Sequence, residues 1–243
     1  MKPIVSPEVE ARVEDILAPF ADPARWVSLG LAYAPVPSAV ILLIGEPGTG
    51  KTTLAKHIAR KLTKKKMPCV SFADVASDHL GGTEKAIVKV FDDAIASECP
   101  VLFMDEVDSL LWDRAKINEQ SMHMLSIVDT MLLQLDRFIE QGGVVIMATN
   151  HPQQLDKALK RRITDTISLE IPTGATAIRA WKSKMPKIMT QTLTQSEFTD
   201  LSAFSMTPND MEHAILSVCR KAFKVNVDPT FAMLLESLKQ QTN

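Results

Sequence analysis

The amino-acid sequence predicts an α/β fold, a parallel sheet sandwiched by helices, followed by a small all-helical domain. Three observations carry this. Short apolar runs at Ala39–Ile44, Val101–Met104 and Val144–Ala148 have the length and composition of strands buried on both faces. They alternate with segments of helical period, the arrangement that gives parallel strands joined by crossover helices. After Pro172-Thr173-Gly174 the strand signals stop and only helical patterns remain. An α/β core with a helical lead-in is therefore expected over residues 1–172 and a helical lid over 173–243.

The elements follow in order. Ser6-Pro7 reads as an N-cap with proline at the first helical position, and Val9, Val13, Ile16, Leu17 and Phe20 then share one face. Asp22-Pro23 repeats the start signal before a short segment ending near Gly30. Pro35 and Pro37 make a linker into the first strand. A helix begins near Thr52 with Leu54, Ile58, Ala59 and Leu62 inward, and Cys69 to Ala73 reads as the second strand. Ile87, Val88, Phe91 and Ile95 mark a second core helix, and Leu125, Val128, Leu132, Leu135 and Phe138 a long third one. Thr166 to Ile171 is the last strand. Helices are expected at 175–185, 197–204, 208–223 and 229–240, with Thr207-Pro208 and Asp228-Pro229 as cap-plus-proline starts.

The 243 residues suffice for one large domain plus a small one, and 46% apolar content supports a sizeable core. A net charge of −2 gives no general attraction to nucleic acid or anionic membrane. The longest apolar run, Ala39 to Ile44, is far short of a membrane span, and residues 1–8 lack the apolar stretch of a signal peptide. Cys69, Cys99 and Cys219 are odd in number and widely spaced, which suits buried thiols in a reducing compartment. The five histidines show no metal-ligand spacing. A cytoplasmic protein without a membrane partner is expected.

Chemistry concentrates at three strand ends. Gly45-Glu46-Pro47-Gly48-Thr49-Gly50-Lys51-Thr52, followed by Thr53, comes between the first strand and a helix, as a phosphate-binding loop requires. Glycines let backbone N–H groups curl around phosphate oxygens, and the helix N-terminus aims its dipole at the same anion. Lys51 can reach the β- and γ-phosphates, and the Thr52 hydroxyl can ligate Mg²⁺. The strand Val101–Met104 ends in Asp105-Glu106. The first carboxylate is placed to hold Mg²⁺ with Thr52, and the second to polarise a water for attack on the γ-phosphate. Thr149-Asn150 ends a third strand, where a neutral amide can bond the attacking water or the γ-phosphate. Arg161 and Arg162 follow eleven residues later.

On these residues the chain resembles the AAA family of ATPases, within the wider AAA+ group, over about residues 37 to 225. The resemblance implies Walker A at Gly45–Thr52, Walker B at Val101–Glu106 and a sensor asparagine at Asn150. It implies that Arg161 and Arg162 are fingers acting on a neighbouring subunit's ATP, with ATP and Mg²⁺ as cofactors. Asp105 to Leu110 is similar to the Walker B extension of the katanin and spastin type. His79 to Glu84 lies where that family has a substrate-gripping pore loop. The chain departs from the pattern in four places: Glu46 replaces a proline, and His79 replaces the gripping aromatic. No Pro-Gly separates the arginines, and Thr207-Pro208-Asn209-Asp210 carries no sensor-2 arginine.

The first functional reading is a ring-forming, Mg-dependent ATPase, hexameric by resemblance alone, that assembles on ATP and remodels protein substrates or complexes, chaperone-like, with a protein substrate or adaptor as partner. A second is a DNA-associated AAA+ ATPase, a loader or transposition regulator. It rests on Arg60 to Lys66, five basic residues in seven, which also suit the C-terminus of a helix. A third is an ATP-gated scaffold whose hydrolysis only times partner release.

Overall fold

The computed structural model describes residues 3–63, 69–70, 82–96, 100–107 and 122–241. The gripping position His79, the basic residues 64–66, Cys99 and residues 108–110 of the Walker B extension lie outside the described residues.

The chain divides into two compact units. Among the described residues, one comprises those within 8–45 and 51–168; the other comprises residues 3–7, 46–50 and 169–241. The tip of the glycine-rich loop thus groups with the C-terminal helices, while its flanks group with the sheet.

In the first unit, the strands β1 (Ala39–Gly45), β2 (Cys69–Val70), β3 (Val101–Met104), β4 (Val144–Thr149) and β5 (Asp165–Leu169) form one sheet in the order β2-β3-β4-β1-β5. The pairs β2/β3, β3/β4 and β1/β4 are parallel. Central strands β3 and β4 are buried along their whole length, because helices cover both faces and leave no polar side to the pleat. One face, with Val40, Leu42, Leu102, Met104, Val145 and Met147, packs on α4 (Gly82–Ala96) and α5 (Met122–Glu140) through Ile87, Phe91, Val128, Leu132, Leu135 and Phe138. Phe91 and Phe138 meet edge-on at 5.7 Å between ring centres. The helix α3 (Lys51–Leu62) packs against β1, β3 and β4 through Leu54, Ala55, Ile58 and Ala59.

Two lead-in helices, α1 (Pro7–Ala21) and α2 (Pro23–Ser28), precede the sheet. Helix α1 buries Val13, Ile16 and Leu17 and is tied by Arg12 to Asp165 and by Glu14 to Lys61. The Asp22-Pro23 start is as expected: the Asp22 carboxylate accepts from the Arg25 N–H. Strand β5 ends earlier than the sequence suggests. The alternation Ile167, Leu169, Ile171 runs on, yet the chain leaves the sheet after Leu169, where the second unit begins.

The second unit is helical: α7 (Gly174–Lys184), α8 (Lys187–Thr192), α9 (Gln195–Ser202), α10 (Pro208–Lys224) and α11 (Phe231–Gln241). A four-residue helix α6 (Lys157–Lys160) belongs to the first unit. Trp181, Met189, Phe198, Leu201, Met211, Val218 and Leu234 form the core, and the Trp181 indole N–H donates to the Leu201 carbonyl at 3.0 Å. Three expectations are corrected here. Helix α8 was not expected: its six residues carry little helical signal, and burial of Met189 holds it. Helix α9 begins at Gln195, two residues earlier than expected, because Thr194 and Glu197 form a capping box. Helix α11 begins at Phe231, not at Asp228-Pro229, with the Thr230 hydroxyl accepting from the Met233 N–H.

Among the described residues, no helix is long and apolar enough to cross a membrane.

Candidate functional site

Parallel strands level their ends, so side chains just beyond them meet. Met104 pairs with Met147, and Ile44 with Thr149, so the carboxyl ends of β3, β4 and β1 lie side by side in that order. Open α/β sheets bind ligands at that edge. Asp105, Asn150 and Gly45 each follow or close one of these strands.

Lys51, Thr52, Asp105 and Asn150 are brought together there. The Lys51 ammonium donates to the Gly45 carbonyl at 2.7 Å and to Asn150 Oδ1 at 2.6 Å. The Thr52 hydroxyl donates to Asp105 Oδ2 at 3.1 Å. All four are only partly buried, so a ligand can reach them. Helix α3 starts at Lys51, and its first turn presents backbone N–H groups that have no intrahelical acceptor. Thr53 lies in that same turn.

Glu106 occupies the left-handed region with φ +53°, which few non-glycine residues adopt. Its N–H donates to Asp105 Oδ1 at 3.1 Å, and its side chain is exposed. Such backbone strain is kept where the surrounding structure enforces it. The Asp105 carboxylate accepts from the Thr52 hydroxyl, while the neighbouring Glu106 is exposed.

The loop tip, within the second unit, is built on its own. The Glu46 carbonyl accepts from the Thr49 N–H at 3.3 Å and from the Thr49 hydroxyl at 2.8 Å, closing a tight turn. Gly48 has φ +84° and Gly50 φ +101°. A Cβ at Gly50 would meet nothing within 4 Å, so conformation alone demands glycine there. A Cβ at Gly48 would come within 2.8 Å of both Thr207 Oγ1 and Asn209 Cβ. Thr207 is itself buried and shares a capping box with Asp210. That approach of the first turn of α10 to Gly48 was not visible in the sequence.

The two arginines part company. Arg162 donates from Nε to Asp136 Oδ1 at 2.6 Å, from Nη2 to Asp136 Oδ2 at 2.7 Å and from Nη1 to the Ala158 carbonyl at 3.0 Å. The Asp136 carboxylate raises its already high pKa further. Arg161 is exposed and its guanidinium has no partner among the described residues. The Asp156 carboxylate, 2% exposed, caps α6 by accepting from the Ala158 and Leu159 N–H groups. Asp136 escaped the sequence reading because it stands 26 residues before Arg162, on another element.

These residues fit a magnesium-bound nucleoside triphosphate. Within the sheet unit, the Lys51 ammonium and the Thr52 hydroxyl beside the Asp105 carboxylate are the donor set that phosphate oxygens and a hard cation take.

Comparisons with known proteins identify the family. Residues 41–171 match the family model described as "ATPase family associated with various cellular activities (AAA)". The chain is 29% identical over 236 residues to a probable spastin homologue of Brugia malayi, covering 93% of this chain and 49% of that protein. It is 31% identical over 197 residues to spastin of Xenopus tropicalis, covering 79% of this chain and 31% of that protein. The chain therefore spans half or less of the length of these relatives. The crystal structure of the FIGL-1 AAA domain superimposes with a TM-score of 0.79 at 21% identity, over 98% of this chain and 81% of that one, a likeness of fold.

Proposed function

The chain belongs to the AAA family of ATPases, and on that premise we propose that it is a ring-forming, Mg-dependent ATP hydrolase that remodels or disassembles protein complexes. The reading assigns nucleotide binding to residues 1–172 and a lid to residues 173–243. The observation that carries it is the convergence of Lys51 with Asn150, and of Thr52 with Asp105, at adjacent strand ends.

MgATP supplies an activated phosphoanhydride and a cation that neutralises the charge developing on it. Gly45–Thr53 would hold the phosphates by backbone N–H groups and by Lys51, whose ammonium now donates to the Gly45 carbonyl and to Asn150. Thr52 and Asp105 would hold the metal. Glu106, exposed beside Asp105, would take the proton of the attacking water. Asn150 would orient that water. An arginine from the neighbouring copy stabilises charge on the phosphoryl group, so turnover requires assembly. The ring, its hexameric size, the protein substrate and a cytoplasmic setting are parts of this proposal; AAA membership and the likeness to spastins support the ring and the protein substrate. Lys61, the described end of the basic run, pairs with Glu14, which lends no support to a nucleic-acid partner.

Glu106→Gln tests it. The variant is expected to bind an ATP analogue with unchanged affinity while phosphate release falls about 10²–10⁴-fold. Near-normal release would remove Glu106 from the mechanism. A pull-down with the same variant identifies the bound polypeptide.

A further inference from the structure

We infer that Asp136 is a positioning residue which locks Arg162 within its own subunit, leaving Arg161 as the one arginine of the pair presented to a neighbour. The inference rests on the hydrolytic ring reading and deepens it.

Three of the five guanidinium N–H groups of Arg162 are spent inside the chain, two of them on one carboxylate as a planar fork. A guanidinium held so cannot also give its fork to a phosphate without leaving Asp136. The contact joins two elements that share one core. Leu132 and Leu135 of α5 and Leu155 and Leu159 around α6 are all buried in the same cluster.

The turn is thereby fixed at both ends. Asp156 caps its start, Leu159 pins its middle, and Arg162 clamps its end to α5. Arg161 lies between the last two fixed points, at the C-cap of α6 with φ −70° and ψ −19°. A rigid mount presents an exposed long side chain at low entropic cost, and small losses of position at a reacting centre are costly. The pair itself is half open to solvent, 30% exposed at Arg162 and 43% at Asp136, so its weight in stability is modest. Its bidentate geometry serves orientation.

The test compares Arg161→Ala, Arg162→Ala, Asp136→Asn and the double variant Asp136→Asn/Arg162→Ala in the full chain. Turnover, KM and the thermal midpoint without nucleotide are measured for each. Arg161→Ala is expected to lose about 10³–10⁵-fold in kcat with its midpoint unchanged. Arg162→Ala and Asp136→Asn are each expected to lose about 10²-fold in kcat with little change in KM. Each lowers the midpoint by about 2–4 °C, and the double variant is no worse than the poorer single one. Asp136→Asn is the decisive member, because it removes the clamp and leaves both arginines. If it turns over at the wild-type rate while Arg162→Ala is inactive with an unchanged midpoint, Arg162 is the acting finger and the inference is overturned. Normal turnover by Arg161→Ala beside an inactive Glu106→Gln also overturns it, yet leaves the hydrolytic reading standing. Normal turnover by Glu106→Gln instead removes that reading.

Discussion

The two compact units use polar residues in opposite ways. In the sheet unit, Lys51, Thr52, Asp105 and Asn150 bond across long stretches of sequence, 99 residues separating Lys51 from Asn150 and 53 separating Thr52 from Asp105. In the helical unit, the polar residues mostly finish their own helices. Thr194 bonds Glu197 and Thr207 bonds Asp210, each three residues away. The contrast follows from architecture. A parallel sheet stacks remote strand ends in one plane and gathers their side chains there. A helix leaves four unsatisfied N–H groups at its start, and a nearby side chain is the cheapest partner. Polar side chains in the first unit should therefore matter for binding and turnover, and those in the second for folding.

The comparison can be broken most forcefully at the core of the helical unit. Trp181 is fully buried and anchored by its indole N–H. Trp181→Ala is expected to cost about 3–5 kcal/mol in urea unfolding. A loss under 1 kcal/mol would show that this core does not hold the unit together.

Lys51→Ala is the matching change in the sheet unit. It removes the cation expected at the phosphates and should weaken binding of an ATP analogue by about 2–5 kcal/mol, read by titration calorimetry. The thermal midpoint without nucleotide should stay close to wild type, since Lys51 is partly exposed. A large fall in that midpoint, with affinity retained, would make Lys51 structural.

The smallest effect sharpens the boundary between the two uses. Thr207 caps α10 and also touches the space beside Gly48. If capping is its whole role, Thr207→Ala costs about 1 kcal/mol of stability and leaves nucleotide affinity unchanged. A matching loss of affinity would show that the first turn of α10 also shapes the glycine-rich loop.

The sequence by itself determined the α/β class, the glycine-rich loop and the strand-end residues Asp105, Glu106 and Asn150, because these depend on local signals. Apolar runs of strand length, glycines in a fixed spacing and the residue that follows a strand can all be read without knowing what touches what. Short-range chemistry also marked the starts of α2 and α10. Only the tertiary structure decided the rest. No local pattern separates Arg161 from Arg162, adjacent and of the same type; a carboxylate on α5 does so. Nothing local marks α8, which burial of Met189 holds, or stops β5 at Leu169 while the apolar alternation runs on. The left-handed Glu106 and the approach of α10 to Gly48 depend on contacts or backbone geometry that sequence spacing does not encode. Periodicity reports which face of an element is buried, whereas the partner that a charged side chain finds is set by how elements pack, and packing joins residues that are far apart in the chain.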